Sequence, residues 1–397
     1  MARNVTRRNF VKFSSLAAGV GGASILAGCG NGSASSGSDS DTIKIGVMGP
    51  YSGQVAQYGL ACRNGSDLYF EQNPTIGDYT VELDEQDEKG DATEAVNVYN
   101  KLVENGVVGI VGDVTSTPSI AVAQASVNDG VPCVTPSATA ADVVSFGNNT
   151  FRACVTDPYQ GEKIADFAQQ QGWKSIGSIY NSGDDYSTGV QQAFVARCKE
   201  NGIDVPDNLQ LGYSEGDVDF NTQLTTIISA NVDAIFAPNY YADDGKIITQ
   251  ARQQGYTGPI FGVDGWSNIA SGGYATAQDL QNCYYSCSFL ASNDDEKVQK
   301  FVKDYEAKYN ETPTNFCALG YDAAMVLAEG MKTALDGGAK PSDKDFFDKV
   351  VEAIAGNTVS GVTGDIKFNG TGDPSKSSLI ISFDEEGKEQ VFGTIEA

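Results

Sequence analysis

From Asp41 to about Gly262 the apolar and polar positions follow two alternating periods. Short runs of aliphatic and β-branched residues are separated by longer stretches in which apolar residues recur every three or four positions. The runs predict strands at 42–48, 79–84, 107–112, 131–135, 175–180, 208–213, 232–237 and 259–262. The stretches predict helices at 58–71, 92–104, 118–128, 159–171, 187–200, 220–230 and 243–254, with Asp91 and Glu94 at capping-pair spacing. Strand and helix in alternation mean parallel sheets covered by helices on both faces. The rhythm pauses after residue 135 and restarts at 159, so the α/β class resolves into two Rossmann-like halves. The remainder differs: helices at 294–309, 316–336 and 343–355 have no strands between them and are expected to pack back onto a lobe, followed by strands at 364–368, 378–383 and 390–395.

In open parallel sheets a ligand sits beyond the carboxyl ends of the strands, so the strand-to-helix turns carry the candidate chemistry. The turn 113–118 reads Asp-Val-Thr-Ser-Thr-Pro, with Thr117 as expected N-cap and Pro118 at the first helical position, leaving Ser116 beside free N–H groups suited to a carboxylate. The turn 136–142 places Thr139 and Asp142 at capping-box spacing. Ordinary capping explains either turn alone; two neighbouring turns of this kind suggest an anion site. In the second half Tyr180, Tyr186, Tyr240, Tyr241 and Trp266 follow strand ends, as surface packing or as an aromatic cage. Asp264 lies between strand 259–262 and Gly265, where it is either a turn former or a buried countercharge for a cation.

Composition narrows the function. The chain has 397 residues, 26 Lys+Arg against 52 Asp+Glu, and no histidine. A single core stops growing near roughly 250–300 residues, which agrees with two lobes. The formal net charge of −26 argues against nucleic acid or an anionic membrane surface as partner. Without histidine, Ser-His-Asp and Cys-His catalysis and His-ligated zinc are excluded. The first residues carry Arg3, Arg7, Arg8 and Lys12, then a glycine-diluted apolar stretch, then Leu26-Ala27-Gly28-Cys29. This order reads as an export signal that resembles the twin-arginine type and ends in a bacterial lipobox, with Cys29 as the lipidated residue. Residues 30–40 read as a flexible Gly/Ser tether. Beyond Cys29 stand seven cysteines, Cys62, Cys133, Cys154, Cys198, Cys283, Cys287 and Cys317, without a CxxC; they are expected to be small buried apolar residues, with Cys283 and Cys287 at the ends of a short strand.

Ile43-Lys44-Ile45-Gly46-Val47-Met48-Gly49-Pro50-Tyr51-Ser52-Gly53, continuing to Gly59, together with Phe151-Arg152, Asp157, Gln160-Gly161 and Asp219-Phe220, resembles the periplasmic leucine/isoleucine/valine-binding proteins of ABC transporters. The likeness runs in order from about Ile43 to the C-terminus. It implies the type I periplasmic binding protein fold, with lobe one at 41–156 plus 289–378, lobe two at 157–288 plus 379–397, and three crossovers as hinge. It also implies roles. Ser116 and Thr139 would hold an α-carboxylate with backbone groups of their turns, Ala138 among them. The Ser137 carbonyl and Asp264 would take the ammonium, where the family commonly has glutamate. Tyr58, Val114, Thr115, Tyr186, Tyr240 and Phe316 would enclose the side chain. The first-lobe disulfide of well-known relatives is absent, its positions reading as Glu88 or nearby and Thr115.

The expectation is therefore an exported, lipid-anchored, monomeric solute-binding protein on the outer face of the cytoplasmic membrane. It would be no enzyme, need no metal or cofactor, and deliver an amino acid, branched-chain first, to ABC permease transmembrane subunits. Two alternatives are a receptor for amides, urea or aromatic acids, and an exported hydrolase using Asp84 with Asp87 or Asp243 with Asp244.

Overall fold

The computed structural model describes residues 41–368 and 370–395. The signal, Cys29 and the tether lie outside the described residues. Two sheets form the framework. The first is six-stranded in the order β2-β3-β1-β4-β5-β6, built from β1 (Thr42–Gly49), β2 (Thr75–Ile76), β3 (Tyr79–Asp87), β4 (Ile110–Val111), β5 (Cys133–Thr135) and β6 (Thr150–Arg152), parallel except for β2 against β3. The second begins with β7 (Ile176–Asn181), β8 (Gln210–Tyr213), β9 (Ala234–Phe236), β10 (Ile260–Gly262) and β11 (Cys283–Cys287), all parallel. The last strands of this sheet, β14 (Ser378–Phe383) and β15 (Glu389–Ile395), are antiparallel, an orientation the alternation of the first halves did not reveal. β12 (Thr358–Gly361) and β13 (Gly364–Lys367) form a separate hairpin.

The helices form where expected, within a few residues. They are α1 (Ala56–Gln72), α2 (Ala92–Glu104), α3 (Ser116–Ser126), α4 (Asp157–Gln170), α5 (Asp185–Glu200), α6 (Asn221–Ser229), α7 (Tyr241–Gln253), α8 (Glu296–Tyr309), α9 (Asn315–Asp336) and α10 (Phe346–Gly356). In α2, Ala95, Val98, Tyr99 and Leu102 make the buried stripe, and Asp91 caps the N-terminus by accepting from the Thr93 and Glu94 N–H groups at 2.9 Å. No described helix is long and apolar enough to cross a membrane.

Three sequence expectations are corrected. α3 begins at Ser116 with Thr115, not Thr117, as N-cap, so Pro118 is the third helical residue. Thr139 and Asp142 make no capping box; a short 3-10 turn at Ala141–Val144 starts after Ala140 without side-chain capping. The strands expected at 107–112 and 131–135 shorten to β4 and β5, because the chain turns into the site immediately afterwards. β6 was not predicted, since three residues carry too little periodicity to register. The seven cysteines of the described residues are all free and buried, as small apolar side chains.

The helices of the last segment anchor the first sheet. α9 lies along α1 at backbone contact: a Cβ on Gly65 would fall 2.0 Å from the Cys317 carbonyl oxygen, and one on Gly320 2.1 Å from that of Cys62. This approach carries Phe316 onto Tyr58, with ring centroids 4.1 Å apart and planes inclined by 21°. The chain passes between the sheets three times, after β6, after β11 and before β14.

Candidate functional site

The carboxyl ends of both sheets meet at one small cavity lined by Tyr58, Val114, Thr115, Ser116, Ser137, Thr139, Tyr186, Tyr240, Asp264, Gly265 and Phe316. Ten of the eleven ligand residues read from the sequence are therefore brought together. Ala138 is the exception. It is outside the lining because its backbone serves the turn: its N–H donates to Thr135 Oγ1 at 3.0 Å, and its carbonyl accepts from Arg152 Nη1 at 2.8 Å.

One end of the cavity is built for an anion. Thr115 does not spend its side chain on capping α3, and Pro118 brings no N–H, so the positive helix terminus faces the turn that carries Ser116. Ser116 Oγ accepts from the Ala140 N–H at 3.2 Å, which leaves the hydroxyl proton free to donate. Ser137 Oγ donates to the Val114 carbonyl at 2.7 Å and ties the two turns together.

The opposite end is acidic. Asp264 is buried, and its Oδ1 accepts from the Tyr186 hydroxyl at 3.1 Å. The same hydroxyl accepts from the Gly265 N–H at 2.9 Å, which orients its proton toward the carboxylate. Burial pushes the Asp264 carboxyl up to about 6, against the pull of Gln160 and Tyr186. Asp157, on the first turn of α4 and outside the cavity lining, is a second buried carboxyl. Burial holds it well above the carboxylate range; the Thr139 hydroxyl opposes this, the charge of Asp264 adds to it, and Arg152 opposes it. The sequence reading noted Asp157 only as part of a motif. At a helix start an acid is ordinary, and its only special signal is burial, which is tertiary.

Aromatic rings close the sides. Tyr186 and Tyr240 stack with centroids 5.1 Å apart and planes 8° from parallel, and Tyr58 meets Tyr240 edge-on at 5.6 Å. Tyr58 also bridges the lobes: its hydroxyl donates to the Gly265 carbonyl and accepts from the Tyr241 N–H at 3.1 Å. Tyr241 donates to the Gln54 carbonyl at 2.9 Å, Gln57 Nε2 to the Tyr274 hydroxyl at 3.0 Å, and Thr117 Oγ1 to Asp185 at 2.8 Å, so the cleft is closed. Tyr241 and Tyr274 as cross-cleft partners were not foreseen from sequence. Thr115 and Tyr240 line both this cavity and a larger outer one at the cleft mouth.

The acid pairs considered for hydrolysis are used elsewhere. Asp84 takes hydrogen bonds from Gln86 and Asn105, and Asp87 from Ser52 and the Tyr51 N–H. Asp243 pairs with Lys246 at 2.9 Å, while Asp244 is buried against Asn239. Among the described residues no group of His, Cys, Asp and Glu is arranged to hold a metal ion.

Residues 42–387 match the periplasmic binding protein family. A leucine-, isoleucine-, valine-, threonine- and alanine-binding protein of Pseudomonas aeruginosa is 30% identical over 84% of this chain and 87% of its own length. The crystal structure of a leucine-binding protein of Thermotoga maritima superposes with a TM-score of 0.82 at 30% identity, covering 89% of this chain and 99% of the other. A branched-chain amino acid transporter substrate-binding protein of Streptococcus pneumoniae, solved with isoleucine, gives 0.79 at 28% identity over 90% and 99%. The turn-borne hydroxyls, the facing acid and the two linked sheets are thus set in a fold shared along nearly the whole chain, which belongs to the branched-chain amino acid binding protein family of periplasmic binding proteins.

Proposed function

We propose that this chain is the extracytoplasmic solute-binding subunit of an ABC importer. It takes a neutral α-amino acid, branched-chain first, between its lobes and presents it to the transmembrane permease. The observation that carries this reading is the polarity of the closed cavity: hydroxyls and a helix N-terminus at one end, a buried carboxylate at the other. That arrangement is complementary to a zwitterion, whose two charges are met from opposite lobes, so the ligand favours closure. The rings of Tyr58, Tyr186, Tyr240 and Phe316, with Val114, give the wall an apolar face suited to the side chains of valine, leucine and isoleucine. The relatives named for leucine, isoleucine and valine binding support the same ligand class. Ligands lacking an amine, such as aromatic acids, would give the buried Asp264 nothing to pair with. The lobes are taken as 41–156 with 289–378, and 157–288 with 379–397. The protein works as a monomer and without a cofactor.

A thermal-shift series with leucine, isoleucine, valine, threonine, alanine and benzoate tests this. A ligand at a hundred times its Kd adds about 2.7 kcal/mol, a rise of about 3–4 °C in the unfolding midpoint for a chain of this size. No rise with any amino acid, or a rise with benzoate alone, sinks the reading.

Ser116→Ala removes one hydroxyl donor to a desolvated carboxylate. Such bonds are worth about 1.5–3 kcal/mol, so calorimetry should show leucine affinity about 10- to 100-fold weaker. Thr139→Ala should cost less, since that hydroxyl lies beside Asp157; the reverse order would mean that the carboxylate sits on the second turn instead.

Lipid anchoring through Cys29 is part of the proposal and rests on the order of Arg7-Arg8, the apolar stretch and the Leu26–Cys29 box. Cys29→Ser should shift the protein from the membrane to the soluble fraction or leave it unprocessed, because stable attachment takes more than one acyl chain. Unchanged fractionation and processing would remove the anchor from the model of how this protein works.

A further inference from the structure

Glu88, just past β3, is 0% exposed, and Asp113, just past β4, is 1% exposed. Each carboxyl has one oxygen satisfied by its own loop: the Gly90 N–H donates to Glu88 Oε2 at 2.8 Å, and the Val114 N–H to Asp113 Oδ1 at 2.5 Å. The remaining oxygens, Glu88 Oε1 and Asp113 Oδ2, are buried and receive no donor group from any other described residue. β3 and β4 flank β1, so the loops that carry the two buried carboxyls lie on either side of its end, where the Glu88 N–H also donates to the Gly49 carbonyl at 3.1 Å, and each carboxyl feels the other electrostatically. We propose that Glu88 and Asp113 share one proton in a carboxylic acid–carboxylate hydrogen bond, and that this bond is the positioning device for the Val114–Thr115–Ser116 turn of the ligand site.

The physical reason is that two buried carboxylates in contact cannot both be ionised without a cation, whereas one proton turns repulsion into a charge-assisted bond. No Lys or Arg hydrogen-bonds either carboxyl among the described residues. From β3, Asp87 adds a like charge to Glu88 and is itself held by Ser52 and the Tyr51 N–H. From the start of α2, Asp91 presents its N–H to the Glu88 carbonyl and spends its carboxylate on capping. Tyr51, after β1, and Cys62, on α1, face Asp113 as neutral groups, each held uncharged first by its own burial. From β5, the Thr135 hydroxyl donates to the Asp113 carbonyl. Asp113 is thus fixed through both its side chain and its backbone, and Val114, Thr115 and Ser116 follow directly. Burial, then the charge of Asp113, lifts Glu88 to about 9. The pair therefore keeps through neutrality a proton that an unfolded glutamate releases near its ordinary 4.5. The folded state binds more protons than the unfolded one across this interval, so the pair's contribution to stability falls as pH rises toward 9.

The positioning role rests on the reading that this turn binds the ligand; the shared proton does not. The test compares the full chain with Glu88→Gln, whose amide supplies the same donor without a titrating proton. Between pH 7 and 9 the wild-type unfolding midpoint should fall more steeply than that of the variant, by about 2 °C per pH unit for one linked proton. From pH 7.5 to 9.5 wild-type leucine affinity should also drop by a larger factor than the affinity of the variant, a ratio in which the ligand's own titration cancels. Parallel unfolding profiles would overturn the shared proton. Separated profiles with equal affinity ratios would overturn the positioning role. If Glu88→Gln fails to fold, Asp113→Asn is the mirror test, with its amide donating to an ionised Glu88 and the same flattening expected. A wild type that binds no amino acid would defeat the ligand reading and leave the unfolding profiles to decide the proton.

Discussion

Asp264→Asn is expected to cost an α-amino acid about 2–5 kcal/mol of binding free energy, because one partner of a desolvated charge pair is removed while the other remains buried. The matching 2-keto acid, which has no ammonium, should lose little. The substitution keeps the side-chain shape and can still accept from Tyr186, so the turn around Gly265 should survive. Calorimetric titration of both proteins with both ligands separates the outcomes. Equal losses, or none for the amino acid, would reduce Asp264 to a turn former. The pH dependence has a definite sign. In the free protein burial raises this carboxyl from 3.8 to about 6. The free fold therefore loses stability as pH rises through that window, while binding gains, since only the ionised form pairs with an ammonium. Amino-acid affinity should accordingly fall as pH drops below about 6, and Asp264→Asn should flatten that fall.

Arg152→Met should be the most damaging single change outside the cavity wall. The guanidinium is fully buried at the end of β6, where Nη1 donates to the Ala138 carbonyl at 2.8 Å and Nη2 to the Ala140 carbonyl at 3.0 Å, while Nε pairs with Asp373 at 2.7 Å. One planar fork thus shapes the turn that presents Ser137 and Thr139. Removing it takes the charged donor from both carbonyls, leaving Ala140 its Val143 N–H and Ala138 only the Cys154 thiol, and leaves the partly exposed Asp373 without its cation, a loss of about 2–4 kcal/mol. Both the unfolding midpoint and leucine affinity should fall. Arg152→Lys should recover only part of the loss, because an ammonium cannot reproduce the fork. Stability and affinity retained in Arg152→Met would mean that the turn is held by its own backbone bonds instead.

Much of this protein was legible before its structure. Alternating periods located nearly every long helix and the parallel strands, because a strand buried on both faces and an amphipathic helix leave different spacings in the sequence. The same reading found the turns after β4, β5, β9 and β10, since parallel sheets place their ligands at carboxyl ends. It was less exact about how those turns are made. Thr117 and Pro118 looked like cap and first turn, yet α3 starts two residues earlier and leaves Thr115 in the cavity wall. A cap is a local preference of about 1 kcal/mol, readily overridden by the packing of the loop against the site.

What the sequence determined by itself was the succession of elements, the two-lobed class, the absence of histidine chemistry, and the residue types at the strand ends. Only the tertiary structure decided which of those residues meet. Tyr58 and Phe316 are far apart in the chain and stack because glycines let α1 and α9 touch at the backbone. Asp157 and Arg152 stood out in the sequence only as parts of a family motif, and Glu88 and Asp113 read as ordinary polar residues at strand ends. Their weight comes from burial, which multiplies the cost of an unpaired charge and so forces each one into a specific partnership. Periodicity is a property of neighbours along the chain, whereas the dielectric environment is set by everything that folds over it.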